Sequence, residues 1–439
     1  MSFKLRIFLH LMVLRGQRWL LRRGWLSLGG LQRWRWQRLR SQLLRSPFYR
    51  ALAQAKAAHE DFPLVDKAQF MAQFDQINTA GISRAQAMRV AQAAEQSRDF
   101  SEDLGAVTVG LSSGTSGHYG MFLANERERA AWVAAVLDRV IGLKLRRRRV
   151  AFFLRANSNL YQSVASSLLQ FHFYDITQPM ADHLARLGEL QPHLLVAQPS
   201  VLRSIAQAIE AGDLDLNPEQ VISVAEVLEP QDKAWLGEVF GVPLQEVYQC
   251  TEGFLAASCP AGRLHFNEDF LLIEKKYLDD APTRFHPIIT DLLRQTQPVV
   301  RYVLNDVIVA AQEPCPCGSP FLTIERIEGR SDDVLTLPGP AGEVVNVYPD
   351  VVRRAILRAS EQITFYVVTQ TGERELSCYL ETQGESNSAD VVQSVAQSLR
   401  QSLAQLGVTD VKVYFASTYH HPTGSKLRRV RNAWESKAT

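Results

Sequence analysis

At 439 residues, 46% hydrophobic and 21% charged, the chain has the composition of a globular protein of two or three domains, which excludes fibrous, low-complexity and solenoid architectures. Its net charge of +2 hides an asymmetry: residues 1–59 carry thirteen Lys/Arg and no Asp or Glu, leaving 35 basic against 46 acidic residues beyond them, a net of −11. Five cysteines without dense spacing exclude a disulfide framework and point to a reducing compartment, so the expected location is cytoplasmic.

The basic arm, residues 1–61, reads as helical. An uncharged run near its start, Ile7 to Leu14, is eight residues, far short of the ~20 that span a bilayer. No small-residue cleavage site follows, which argues against a secretory signal. Lys4, Arg15, Arg18 and Arg22 fall near one helical face, Phe3, Ile7, Leu14 and Leu21 lie around the other sides, and Trp19, Trp25, Trp34 and Trp36 add interfacial aromatics. Two readings follow: peripheral contact of residues 1–50 with anionic lipid on the inner membrane face, or basic helices packed on the acidic body. The second is preferred, because charged amphipathic helices are commonly solvated faces. No recognition motif accompanies the charge, so no nucleic-acid partner is expected.

Beyond Phe62-Pro63-Leu64, residues 66–97 form an Ala- and Gln-rich helical pattern. From about 105 the chain alternates: strand AVTVGL, a glycine-rich loop, a helix over 125–141, strand VAFFL at 150–154, a helix over 158–170, and strand HLLVAQPS at 193–200 closing in a Pro-Ser turn before a helix from Val201. VISVAEVL, a helix over 230–240 and VPLQEVYQCTEG repeat the theme, and residues 263–312 are richer in strand. From Arg330 the pattern gives a short strand, a helix over 349–359 opened by Pro349, strands ITFYVVTQ and ELSCYLETQ around a TGER turn, a helix over 388–406 and strand VKVYFAS. The fold class is therefore α/β: a large domain (62–330) of mostly parallel sheets flanked by helices with a β-rich subdomain, then a small mobile α+β domain (331–439). The boundary falls at GRSDD, 329–333.

The loop GLSSGTSGHYG, 110–120, has the composition of a phosphate cradle. Backbone N–H groups and the hydroxyls of Ser112, Ser113, Thr115 and Ser116 are donors, and its place after a strand and before a helix suits an anion. A Walker loop is disfavoured, since no Lys follows Gly114 or Gly117 at the required spacing. His118 and Tyr119 are candidates to replace part of the missing cation. Read alone, such a loop is as well explained by a tight surface turn.

Taken in order, SSGTSG (112–117), YQCTEG (248–253), RYVLNDV (301–307), RIEGRSDD (326–333) and PTGSKLRR (422–429) resemble the successive motifs of the adenylate-forming superfamily. FPLVDK (62–67), VAEVL (224–228), CPCGS (315–319) and NVYPD (346–350) are most similar to phenylacetate-CoA ligases and the related deazaflavin-adenylating synthetases. The resemblance implies ATP-dependent activation of a carboxylic acid, aromatic in this clade, as an acyl-AMP, then transfer to CoA or an acyl carrier protein. Adenylyl transfer to a phenolic hydroxyl, or non-catalytic nucleotide binding, are the alternatives. It implies that Ser112, Ser113, Gly114, Thr115, Ser116 and Gly117 hold phosphates, Glu252 holds Mg²⁺, and Thr251 lies beside the α-phosphate. Ala225 and Glu226 border the adenine, Tyr248 belongs to the nucleotide site, Asp306 accepts the ribose hydroxyls and Arg330 supports the nucleotide. Lys426 is then the catalytic lysine and Asp332 the hinge. The chain departs from the family pattern at Gln249, at Leu304-Asn305 and in the order Gly-Ser-Lys at 424–426.

Cys259, His265, Cys315 and Cys317 supply four ligands of the kind a closed tetrahedral zinc site uses. Spacing alone leaves free buried cysteines equally open; the phenylacetate-CoA-ligase resemblance implies structural zinc. Cys250 and Cys378 read as buried residues. The KLRRRR run at 144–149 is a candidate for CoA phosphates or an acidic carrier helix, with a solvated loop the preferred reading.

Overall fold

The structure, a computed structural model, describes residues 2–99, 103–111, 120–142, 144, 146–154, 168–278, 283–383, 389–421 and 426–434. The chain divides into two units: residues 1–304 with 309–326, and residues 305–308 with 327–439.

In the larger unit, β1 (Val107–Leu111) and β2 (Met121–Asn125) form an antiparallel hairpin in which Gly110 faces Phe122. The glycine-rich segment therefore joins two strands, not a strand and a helix as expected; the helix Glu126–Val136 begins only after β2. The main sheet is built from β3 (Arg148–Leu154), β4 (Leu169–Asp175), β5 (Leu194–Ala197), β6 (Gln220–Val224), β7 (Leu244–Cys250), β8 (Gly253–Ser258), β9 (Leu264–Phe266), β10 (Leu271–Tyr277), β11 (Arg284–Asp291), β12 (Tyr302–Val303), β13 (Asp306–Ala310) and β14 (Thr323–Arg330). Its order is β10-β11-β13-β14-β9-β8-β7-β6-β5-β3-β4, with β12 beside β11. The pairs from β4 to β7 are parallel and those around β7–β9 and β10–β12 antiparallel. The alternating half and the strand-rich half of the sequence thus share one sheet.

Parallel strands are covered on both faces, and β3, β5 and β6 are accordingly apolar runs. Helix Pro199–Glu210 packs Val201, Leu202, Ile205 and Ala206 on them, and Pro230–Phe240 adds Leu236 and Phe240. Both helices open with proline, whose fixed φ suits a first helical turn.

Two sequence expectations are corrected. The pattern over 66–97 is three helices, Lys67–Ala72, Phe74–Ile77 and Arg84–Ser97. The Asn78 side chain donates to Phe74 O and accepts from the N–H of Ala80 and Ile82, stabilising a turn, and Ser83 and Gln86 form a capping box for the last helix. Of the helix expected over 158–170, residues 158–167 lie outside the described residues and Leu169 already begins β4.

The arm forms helices Phe3–Arg22 and Leu28–Leu43 and packs on the body. A π-helical turn, Leu137–Ile141, presents the buried Asp138 carboxylate to Arg15 and Arg18 at 3.0 and 2.9 Å. No helix among the described residues is long and apolar enough to cross a membrane.

The smaller unit holds a hairpin of β15 (Leu335–Pro338) and β16 (Val344–Val347). It also has a sheet ordered β19 (Lys412–Phe415), β18 (Glu375–Thr382), β17 (Ile363–Gly372), β20 (Val430–Asn432). Helices Pro349–Ala359 and Ala389–Ala404 pack Val352, Ile356, Val395 and Leu399 against Tyr366, Val368 and Leu376.

Candidate active site

β7 and β8 run antiparallel with an irregularity at Tyr248/Gln249, and the turn between them presents Thr251 and Glu252. The Glu252 carboxylate is doubly held: the Tyr302 hydroxyl donates to Oε1 at 2.7 Å and the Thr251 hydroxyl to Oε2 at 2.8 Å. Burial pushes its pKa up, but the hydrogen bonds from Tyr302, Thr251 and Cys250 outweigh that and hold it below the usual carboxylate value. Burial and the Glu252 charge push the Tyr302 hydroxyl strongly upward, so it stays a donor.

These groups line a cleft with Lys67, Phe70, Met71, Gly120, Met121, Arg294, Gln297 and Val299. Gly120 ends the glycine-rich segment, so the cleft opens where that segment re-enters β2. Ser112 to Gly117, with His118 and Tyr119, lie outside the described residues. Arg294 is fixed by donating to Thr251 O at 2.7 Å and Gln297 Oε1 at 3.0 Å. Tyr302, Lys67 and Arg294 carry no assignment from the sequence. Lys67 closes the FPLVDK segment and Tyr302 stands second in the one containing Asp306, but only tertiary contact brings them to Glu252.

Ala225 follows β6 with φ +70°, a left-handed conformation uncommon for a residue with a Cβ. The bend turns Glu226 back to accept from the backbone N–H (3.1 Å) and hydroxyl (3.0 Å) of Ser200 at the start of helix Pro199–Glu210. Tyr248 packs edge-on to Phe266, with ring centroids 6.3 Å apart.

The smaller unit gathers the remaining candidates. Arg330 Nε lies 3.5 Å from Asp306 Oδ1. Asp332 accepts from Asn305 Nδ2 at 3.1 Å, and the Ser331 N–H donates to Asn305 O at 2.7 Å. Neighbouring Asp333 accepts from the Arg330 N–H and pairs with Arg428. Burial raises the Asp333 pKa, and Arg428 opposes it. Lys426, half-buried, stands two residues before Arg428 on the segment that this ion pair ties down.

Cys259, His265, Cys315 and Cys317 converge in the larger unit, their ligand atoms all within 4.8 Å of one another. Cys259 and Cys315 sulfurs are 3.6 Å apart. That is far beyond a disulfide bond and close to the about 3.8 Å edge of a tetrahedron with Zn–S near 2.3 Å. Cys317 Sγ is 3.5 Å from His265 Nε2, while His265 Nδ1 sits 3.1 Å from Phe321 O. Donation through Nδ1 leaves the Nε2 lone pair facing the sulfurs, the orientation that metal-bound histidines take. Burial lowers the His265 pKa and favours the neutral, ligating ring. The donor set fits zinc.

Part of the KLRRRR run is held by the body. Lys144 and Arg146 pair with Glu219, and Arg148 is buried and donates to Ile141 O and Gly142 O.

No family model matches the sequence. The chain is similar to a phenylacetate-coenzyme A ligase of Thermus thermophilus, 26% identical over 277 residues, 56% of this chain and 61% of that protein. The match thus spans about three fifths of the relative. Among solved structures, a 2-hydroxyisobutyryl-CoA ligase in the postadenylation state with R3-HIB-AMP superposes with a TM-score of 0.66 at 16% identity, covering 92% of this chain and 88% of that one. An anthranilate CoA ligase in complex with anthranoyl-AMP gives 0.51 at 14% identity over 72% and 67%. The fold is that of the adenylate-forming ligases, and the sequence resembles the phenylacetate-CoA ligase clade within them.

Proposed function

We propose that the protein is an adenylate-forming acid–thiol ligase. The observation that carries this reading is the hydrogen-bonded, charged Glu252 beside Thr251 in a cleft flanked by Lys67 and Arg294, on a fold shared with CoA ligases. A carboxylate oxygen of the acid attacks the α-phosphorus of ATP, the bond to pyrophosphate breaks, and acyl-AMP forms. A thiolate of CoA or a carrier protein then attacks the acyl carbon and AMP leaves. Catalysis here is positioning and charge stabilisation. Lys67 and Arg294 draw phosphate charge into the cleft, with Ser112–Gly117 as the cradle. Glu252 would hold Mg²⁺, which would supply positive charge to offset that of the phosphates. Ala225, Glu226 and Tyr248 border the base, and Asp306, oriented by Arg330, accepts the ribose hydroxyls. Lys426 stabilises charge at the α-phosphate, and Asp332 is the hinge that exchanges it for the thiol path. The acid is aromatic, a reading that rests on the similarity to a phenylacetate ligase.

We further assign the Cys259–His265–Cys315–Cys317 cluster to structural zinc, which pins the loops joining β8 to β9 and β13 to β14. Exchange of labelled pyrophosphate into ATP, run against a panel of aryl and aliphatic acids, tests the main reading. Acid-dependent exchange that Lys426→Ala reduces by at least about a hundredfold supports it. AMP retained on a phenolic product, or no exchange with any acid, overturns it.

A further inference from the structure

The N-terminal helix Phe3–Arg22 is apolar on two sides. Leu11, Leu14 and Leu21 are buried against the body, and Arg15 and Arg18 reach inward to Asp138. A helix that has buried one stripe is expected to be polar on the opposite face. Here the opposite face carries Leu5, Phe8, Leu9, Met12 and Val13, at the i, i+3, i+4, i+7, i+8 spacing of one stripe, and all five are exposed, Phe8 at 55% and Val13 at 52%. Trp19, 49% exposed, continues the line and meets Trp25, 70% exposed, edge-on with centroids 5.1 Å apart. From Leu5 to Trp19 the stripe runs about 21 Å at the helical rise of 1.5 Å per residue. Scattered exposed apolar residues need no explanation, but a continuous stripe marks an interaction surface.

Charge names the partner. Lys4, Arg22 and Arg23 are exposed around this face, and the Arg23 guanidinium lies 5.6 Å from the Trp19 ring centroid. Residues 2–59 contain no carboxylate. A second copy laid on the stripe through its own arm would bring two strongly basic segments together. An anionic lipid surface satisfies both features, taking the apolar side chains among its acyl chains and the basic ones among its headgroups. Tryptophans suit that boundary, having an apolar body and a polar N–H. The helix is too polar to cross a bilayer, so it would lie along one.

We propose that the exposed stripe of helix Phe3–Arg22, with Trp19 and Trp25, docks the protein on an anionic membrane surface. The ion pairs from Arg15 and Arg18 to Asp138 set the rotation of the helix in advance, so docking requires no folding step. The adenylation reading neither requires nor supplies this contact.

Co-sedimentation of the full-length protein with vesicles tests it. Vesicles of phosphatidylcholine mixed with phosphatidylglycerol should pull the protein down with a blue shift in tryptophan emission, and phosphatidylcholine alone should do so weakly. Added salt should reduce the bound fraction. The double variant Phe8→Ser/Met12→Ser should lower partitioning by about tenfold, since two large apolar side chains no longer leave water. Both positions are exposed, so its melting temperature and pyrophosphate exchange should match the parent. Equal binding by parent and variant overturns the proposal. So does failure of the parent to bind either vesicle, and so does a dimer in size-exclusion chromatography that the variant splits without any lipid binding, which would name a second copy as the occupant.

Discussion

Glu252 shows why a single carboxylate in this chain stays charged where burial opposes it. Tyr302 and Thr251 each give one oxygen a donor, and hydrogen bonds to an ionised group are the strong kind. Tyr302→Phe removes the 2.7 Å bond and leaves the ring. The Glu252 pKa then rises, so the acid limb of the pyrophosphate-exchange pH profile should move to higher pH. Exchange near neutrality should fall by about tenfold, the cost of a hydrogen bond to a charge. Because the folded pKa lies below the unfolded one, Glu252 stabilises the fold above the unfolded value of about 4.3, and that contribution is lost as pH falls through the folded pKa. Thermal melts between about pH 6 and about pH 3 should therefore show a steeper loss in the parent than in the variant. The Thr-Glu pair was legible in the sequence as part of YQCTEG. Its partners were not, because Tyr302 is fifty residues away and reaches it only through the sheet.

Among the elements, the β1–β2 hairpin and the cysteine knuckle depend on close approach. A Cβ built on Gly110 would lie 2.1 Å from the Phe122 ring, so the pair tolerates no side chain at 110 unless the ring moves. Gly110→Ala should destabilise the protein by about 1–3 kcal/mol, the usual penalty for overpacking, and Phe122→Ala in the same chain should recover much of it. Paired denaturant titrations read both effects. The cysteine knuckle closes as a turn in which the Gly318 N–H donates to Cys315 O at 3.1 Å, Gly318 having φ +71°, and Cys317 Sγ lies 3.5 Å from His265 Nε2. Plasma emission should find one zinc per chain, and Cys315→Ser/Cys317→Ser should abolish it and lower the melting temperature. A metal-free parent of unchanged stability would refute that assignment.

At the level of the whole molecule, the turn Ser331–Asp333 lies just inside the smaller unit, next to the crossing at 326–327. If Asp332 is the hinge, Asp332→Pro, which restricts φ, should leave pyrophosphate exchange within a few-fold. It should lower thioester formation by about a hundredfold, because only the second step needs the rearrangement. Equal loss of both half-reactions would remove the hinge role. The sequence by itself determined the α/β class and the helices Pro230–Phe240 and Pro349–Ala359 to the residue. These are local: periodicity and an opening proline are both short-range signals. Tertiary structure alone decided that the glycine-rich segment spans a hairpin, since strand pairing is set by contacts outside the segment. It alone placed Tyr302 on Glu252 and brought Cys259 to Cys315 across 56 residues. It also set the rotation of the first helix. The helical wheel shows apolar residues on several sides, and the buried charge of Asp138, far along the chain, draws the arginines inward and turns the stripe out.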